Sequence, residues 1–147
     1  KIRPMVPTIL QHIQHPNPKI RYASLHCIGQ IADDMPGDFQ KTFHQDCLPI
    51  MVAALDDQTP RVQSHACACF TNFCENTAKE VLIPYMQPLS QKFCLLVKDG
   101  CSMTKENATT ALGTFVEKIG EEYAQYFQET ISFLIQYLGQ FATKEYK

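Results

Sequence analysis

The sequence lacks the features that mark two common classes of protein, those that bind nucleic acid and those that enter membranes. Its 13 lysines and arginines stand against 15 aspartates and glutamates, and the net charge is −2 with no basic stripe. A nucleic-acid-binding protein usually carries a basic surface. No apolar run approaches the ~20 residues of a membrane-spanning helix. Nor do the first residues resemble a signal peptide, because Pro4 and Pro7 lie where its apolar segment would be. We expect neither nucleic acid nor a membrane among its partners.

Seven cysteines are present, an odd number, and we expect no disulfide framework. Small secreted domains use disulfides because their cores are small, whereas this chain has 147 residues and many aliphatic side chains. Free cysteine packs as a small hydrophobic residue. Five cysteines lie in or beside predicted helices, namely Cys27, Cys47, Cys67, Cys69 and Cys74. A reduced cytosolic or nuclear protein is favoured.

Three segments, beginning at Pro18, Pro60 and Ser102, align with one another at a constant offset of 42 residues. Small and apolar residues recur in register in the sets Ser24, Ala66 and Ala108; Cys27, Cys69 and Ala111; Ile28, Phe70 and Leu112; and Ile31, Phe73 and Phe115. Their spacing makes one apolar stripe on an α-helix. Repeats of about 40–47 residues built from helix pairs are typical of HEAT and armadillo solenoids. Such proteins usually bind partners along an extended surface.

Each repeat is predicted to consist of a helix A, a tight turn and a helix B. Asn17 with Pro18, and Thr59 with Pro60, give each of the first two B helices a capping residue and a first-turn proline. The A helices are predicted at 6–13, 39–55, 81–97 and 123–141, with kinks or first turns at Pro49, Pro84 and Pro88. No segment alternates as a strand would, so the fold class is all-α: a HEAT-repeat α-solenoid of about three and a half repeats.

The repeats are expected to cover residues 1–35, 38–77, 79–119 and 121–147, within a single segment spanning residues 1–147. No atypical polar capping repeat is seen at either end. We therefore expect the chain to be an interior piece of a longer solenoid.

Several strings resemble the middle repeats of the karyopherin-β (importin-β) nuclear transport receptors, and among them the importin-β-three type, also called Ran-binding protein five. They are HPNPKIRYASLHCIGQIADD from His15, PGDFQKTFHQ, RVQSHACACFTNFCEN and VLIPYMQPL, and the resemblance is strongest between His15 and Leu89. It implies a receptor that shuttles between cytoplasm and nucleus. Its B helices would line a concave face that binds protein cargo with import signals. It also implies that Phe-Gly nucleoporins bind between A helices and that the GTPase Ran binds mainly through repeats outside this chain.

The stripe of each B helix opposite the apolar one is expected to face that concave groove. On it, Asp33, Glu75 and Glu117 recur once per repeat in the last helical turn, where the helix dipole disfavours an acid; we call these three residues the acidic ladder. Groups kept against a local preference tend to mark functional sites. The predicted cargo-binding residues are Tyr22, Gln30, Asp33, Asn72, Glu75, Glu106 and Glu117. The competing interpretation is that the acids are ordinary solvated surface residues.

Other functional interpretations are weaker on the sequence. The aromatic residues of the A helices, Phe39, Phe43, Tyr85 and Phe93, are expected in the core more than in Phe-Gly grooves. His65 and Cys69 share a helix face, but zinc wants four converging ligands, and no third group accompanies a Cys–His pair for nucleophilic catalysis. We expect no metal, no cofactor and no enzymatic activity. The alternative function is a HEAT scaffold outside transport, such as a phosphatase scaffold subunit.

Overall fold

A computed structural model describes residues 2–142, without the side chains of residues 138 and 140–142. The last five residues of the predicted fourth repeat therefore lie outside the described residues. Eight α-helices follow one another in the described chain: α1 Val6–His12, α2 Pro18–Asp34, α3 Asp38–Ala54, α4 Pro60–Glu75, α5 Lys79–Leu82, α6 Met86–Asp99, α7 Ser102–Ile119 and α8 Ala124–Ala142. The described residues contain no strand. The predicted all-α class is confirmed.

The B helices α2, α4 and α7 begin where the 42-residue pattern predicts. The side chain of Asn17 caps α2 by accepting a hydrogen bond of 2.9 Å from the Lys19 backbone N–H. Thr59 is the N-cap residue of α4, as predicted, but its hydroxyl makes no cap hydrogen bond and instead accepts one of 3.3 Å from Arg21. Gly37, with φ of 82°, and Gly120, with φ of 68°, turn the chain after the first and third B helices. A residue with a side chain is strained at such angles.

Prolines act differently in the different A helices. Pro49 lies inside α3 without ending it. In the third repeat the helix predicted over 81–97 is interrupted at Pro84, one of the predicted kink positions, where α5 gives way to a short 3₁₀ segment, Ile83–Tyr85, before α6 starts. Pro84 lies at the centre of this segment and has no N–H to donate to the preceding turn. A similar 3₁₀ turn, Gly120–Tyr123, precedes α8.

The B helices lie side by side, with α4 between α2 and α7, and the A helices pack outside them. The predicted apolar stripe is fully buried in α4 and α7 but not in α2, where Ile28 is buried and the other stripe residues, with Ile20 one turn before them, are not. In α2, Leu25 and Ala32 fill the core instead, each 0% exposed. The other stripe residues of α2 are half-buried on the side that, in α4 and α7, packs against the preceding repeat: Ile20, Ser24, Cys27 and Ile31.

Two residues at the edge of the stripe that faces the expected groove, Gly29 and Ser64, are buried between neighbouring B helices. Gly29 faces α4, and a Cβ added there would lie 3.1 Å from the Cα of Cys69. Ser64 is 1% exposed and accepts a hydrogen bond of 2.7 Å from the side chain of Asn107 on α7. The groove stripe is therefore narrower than the periodicity suggests, because its edges are used to join one B helix to the next.

An ion pair ties the first two repeats together at the start of their B helices. The guanidinium of Arg21 donates to both carboxylate oxygens of Asp57, at 2.8 and 2.9 Å, and to the carbonyls of His15 and Pro16. Asp57 also accepts from the backbone N–H of Thr59 at 2.8 Å. Burial would raise the pKa of Asp57, but the hydrogen bonds from Arg21 and Thr59 and the charge of Arg21 lower it overall.

Replacing this carboxylate, Asp57→Asn, is expected to lower the melting temperature at neutral pH by about 3–8 °C, because a two-point charged contact becomes a neutral one. The pKa of Asp57 is lower in the folded chain, so its contribution is complete above the unfolded value of about 3.9 and is lost as the pH falls further. Thermal melts at pH 7 and pH 3 check this. The gap between the two proteins should be smaller at pH 3, and a gap of equal size would contradict the assignment.

Candidate cargo-binding surface on the B helices

The three residues of the acidic ladder lie on consecutive B helices at matching positions. Asp33 is in the last turn of α2, Glu75 is the last residue of α4 and Glu117 is in the last turn of α7. All three are exposed. Packed helix axes are about 8–10 Å apart. The ladder is thus a row of solvent-accessible carboxylates crossing three repeats.

The other predicted site residues have mixed surroundings. Glu106 is exposed at the start of α7, and Gln30 is exposed with its amide bonded to Asp34 at 3.2 Å. The side-chain amide of Asn72 donates a hydrogen bond of 3.3 Å to the carbonyl of Gly29. This half-buried side chain therefore links α4 to α2. Tyr22 is half-buried and stacks on His65. The face is thus partly built of residues that also join its helices.

A cation that the sequence pattern does not reveal lies beside the ladder. The Nζ of Lys118 donates a hydrogen bond of 2.9 Å to the backbone carbonyl of Glu75. It therefore satisfies one of the unpaired carbonyls at the end of α4 and places a positive charge where the helix dipole favours one. The sequence does show a lysine, Lys118, directly after Glu117. The carbonyl that this lysine binds belongs to a residue 43 positions earlier, and no local pattern indicates that contact.

The cysteines and histidines do not converge on a reactive centre within the described part of the chain. All seven cysteines are free, and no three His, Cys, Asp or Glu side chains among the described residues are grouped as metal ligands. Burial raises the pKa of the Cys47, Cys67 and Cys74 thiols to about 12. Thiols this weakly acidic stay protonated at neutral pH and are poor nucleophiles. Cys69 is buried against Met51, with its Sγ 3.4 Å from the thioether sulfur.

On the opposite side, a pocket of about 190 Å³ opens between α6 and α8. Cys94, Tyr126 and Phe133 line it together with polar side chains from both helices, which are Gln87, Ser90, Gln91, Glu129 and Thr130. The hydroxyl of Tyr123 donates a hydrogen bond of 2.9 Å to Ser90, which is one of the lining residues. Among the aromatic residues considered on the A helices, Phe39 and Phe93 are in the core, 2% and 0% exposed, as the packing interpretation predicted. Phe43 and Tyr85 are half-buried.

None of the helices in the described residues is both long and apolar enough to span a membrane. The family model for HEAT repeats matches residues 6–88. This match spans more than half of the chain and coincides with the first two helix pairs and the start of the third. The chain belongs to the HEAT-repeat family, and the predicted α-solenoid is confirmed.

The more specific resemblance, to the karyopherin-β receptors, is also confirmed. The chain is 28% identical over 131 residues to importin subunit beta-3 of Saccharomyces cerevisiae, covering 88% of this chain and 12% of that relative. It superposes on the crystal structure of Kap121p with a TM-score of 0.87 at 27% identity, over 92% of this chain and 13% of that one. The same fit and coverage hold for Kap121p bound to Pho4p. The chain thus spans about an eighth of the length of the relatives it matches.

One further solved structure bears on the acids of this fold. It is a variant of Kap121p, with the same TM-score of 0.87 and 26% identity over 92% of this chain and 13% of that one. In it an aspartate, a glutamate and a second aspartate, each about one repeat from the next, are replaced by lysine. Asp33, Glu75 and Glu117 of this chain recur at a similar spacing of about one repeat, with a glutamate in the third place.

Proposed function

We propose that this chain is a segment of a nuclear import receptor and that the acidic ladder binds lysine-rich import signals of protein cargo. The observation that supports this most directly is the row of three exposed carboxylates, one per repeat, on B helices whose fold matches a cargo-binding karyopherin. Within the described residues none of the three side chains forms an ion pair. Their charge is therefore available to a ligand.

The spacing of the ladder defines the signal that fits it. An extended peptide advances about 3.3–3.6 Å per residue, and neighbouring B helices lie about 8–10 Å apart. Successive carboxylates are then matched by basic residues at about every third position of an extended peptide. Contacts of this kind steer association and depend on salt, since the charges face solvent.

The proposal is tested by fluorescence anisotropy with a labelled peptide that carries a lysine at every third position. A second peptide of the same composition, with its lysines adjacent, is the matched control. We expect tighter binding of the spaced peptide, and an affinity that falls steeply as salt is raised. Equal affinities for the two peptides would contradict recognition by the ladder. Exclusive capture of a phosphatase catalytic subunit in parallel would favour the scaffold function instead.

The pocket between α6 and α8 supports a second role on the A-helix side. Its lining includes two aromatic rings, Tyr126 and Phe133, and the half-buried Cys94 among several polar side chains. This is the kind of surface on which an aromatic side chain packs edge-to-face or offset. We infer that it binds Phe-Gly segments of pore proteins. Because the pocket and the ladder are on different helices, an excess of Phe-Gly peptide should leave the labelled lysine peptide bound.

The remaining parts of the proposed role concern the longer receptor. As a transport receptor it would move between cytoplasm and nucleus, and Ran would release its cargo through repeats outside this chain. The present residues would contribute the cargo-binding surface and the A-helix pocket.

A further inference from the structure

A stack of side chains crosses from α2 to α4 near the beginnings of these helices. The guanidinium carbon of Arg61 lies 4.6 Å from the centre of the Tyr22 ring. On this ring stacks the imidazole of His65, with centres 5.1 Å apart and planes inclined by 16°. His26 meets His65 edge-on at 5.9 Å. We call these four residues the Arg61 shelf.

The shelf faces the same side of the helices as the acidic ladder. Tyr22 and Asp33 are eleven residues apart on α2, about three turns, so their side chains lie nearly in line. Arg61 and Glu75 are fourteen residues apart on α4, about four turns. The exposed face therefore carries acids at the ends of α2 and α4 and the Arg61 guanidinium, stacked on Tyr22, near their beginnings.

The guanidinium of Arg61 has no acidic partner in the part of the chain that the structure describes. The ion pairs found there join other residues, and none involves Arg61, His65 or His26. The pKa of His65 is lowered, first by burial and then by the positive charges of His26 and Arg61. The neutral imidazole of His65 is thus favoured, and the guanidinium of Arg61 supplies the positive charge of the shelf.

The geometry of Arg61 is suited to a carboxylate. A guanidinium stacked on an aromatic face keeps its N–H groups in its own plane, where they form a fork that matches the two oxygens of a carboxylate. Tyr22 supports the guanidinium from one side and is itself held by His65. A side chain placed in this way loses less conformational freedom when a ligand binds.

We propose that the Arg61 shelf binds a carboxylate of the same peptide whose lysines bind the acidic ladder. The proposal rests on the proposed function and adds that preferred signals combine a basic part with an acidic residue. Arg61 and Glu75 are about 21 Å apart along α4, at 1.5 Å per residue. Since the side chains of both partners cover part of this distance, about three to six extended residues connect the lysine to the carboxylate.

The test uses the spaced-lysine peptide extended by a Gly-Ser spacer of about two, five or ten residues and then two glutamates. Matched peptides end in two glutamines. A further pair of peptides has no glutamates and ends at the same position, one with a free carboxyl terminus and one with an amidated terminus. This pair distinguishes binding of a side-chain carboxylate from binding of a terminal carboxylate. We expect the glutamates to improve affinity about three- to tenfold with the five-residue spacer. The gain in affinity should be smaller with the two-residue spacer, which is too short for the glutamates to reach Arg61. It should also be smaller with the ten-residue spacer than with the five-residue one.

Variants assign this gain to the shelf. Arg61→Gln should abolish it while leaving the glutamine peptide bound within about twofold, and Tyr22→Phe, which keeps the ring, should retain it. Lys41→Gln removes an exposed cation of α3 and should also retain the gain. Equal binding of glutamate and glutamine peptides, or a gain that survives Arg61→Gln, would overturn the shelf while the ladder stands. If the unaltered chain bound none of the lysine peptides, both the shelf and the ladder would be overturned.

Discussion

Replacing Asp33, Glu75 and Glu117 together by lysine is expected to reduce the affinity for the spaced-lysine peptide about 100-fold or more at low ionic strength. Each substitution removes one attraction and adds one repulsion. An exposed pair contributes about 0.2–1 kcal/mol, so the reversal of three sites amounts to several kcal/mol where the charges act on the same ligand. Anisotropy titrations over a range of salt concentrations measure the loss. It should shrink as salt is raised, since the screening length falls to about 3 Å at 1 M.

The matched control reverses three other exposed acids, all of them on A helices, namely Asp46, Asp99 and Glu129. It changes the net charge of the chain by the same amount, so it isolates position from overall charge. We expect this control to lose less than about tenfold. A similar loss in both triple variants would mean that the peptide senses only the net charge, and the ladder would not be a site. Circular dichroism confirms that both variants remain helical.

The repeat pattern predicted the B helices and the ladder because both depend on short-range regularities. A spacing of 42 residues and the 3.6-residue helical period place Asp33, Glu75 and Glu117 on equivalent turns, and nothing in the structure shifts them. Helix starts with a proline at the first position were equally predictable. The sequence could not show that the helix breaks at Pro84 but continues through Pro49, since a proline can be accommodated inside a helix or can end it.

Contacts between repeats could not be predicted, because their partners are about 43 residues apart and depend on how the helices are rotated. The bonds from Asn72 to Gly29 and from Lys118 to Glu75 are of this kind. The same is true of the stack of Tyr22 on His65. Periodicity assigns such residues to a stripe, but it does not distinguish the exposed middle of the stripe from its edges. The edges are buried against the neighbouring helix, as at Ser64.

The second large effect is expected from Phe70→Ala in the core. Phe70 is 0% exposed, and its ring lies 5.2 Å from that of Phe93 on α6 and 5.8 Å from that of Phe115 on α7. It thus joins the second repeat to both helices of the third. Truncating a buried phenylalanine costs about 3–5 kcal/mol, since burial is lost and a cavity remains. For a chain of this size the melting temperature should fall by about 8–15 °C.

Phe127→Ala is the matched control, because this ring is 51% exposed at the beginning of α8; it should change stability by less than about 0.5 kcal/mol. Phe70→Leu, which keeps most of the volume, should cost less than about 1.5 kcal/mol. Equal effects of Phe70→Ala and Phe127→Ala in thermal melts would contradict the packing described here. Glu75 and Glu117 are on α4 and α7, whose separation Phe70 helps to fix. Below its melting temperature Phe70→Ala should therefore also bind the spaced-lysine peptide more weakly than Phe70→Leu does, and this connects the core of the solenoid to the spacing of its ladder.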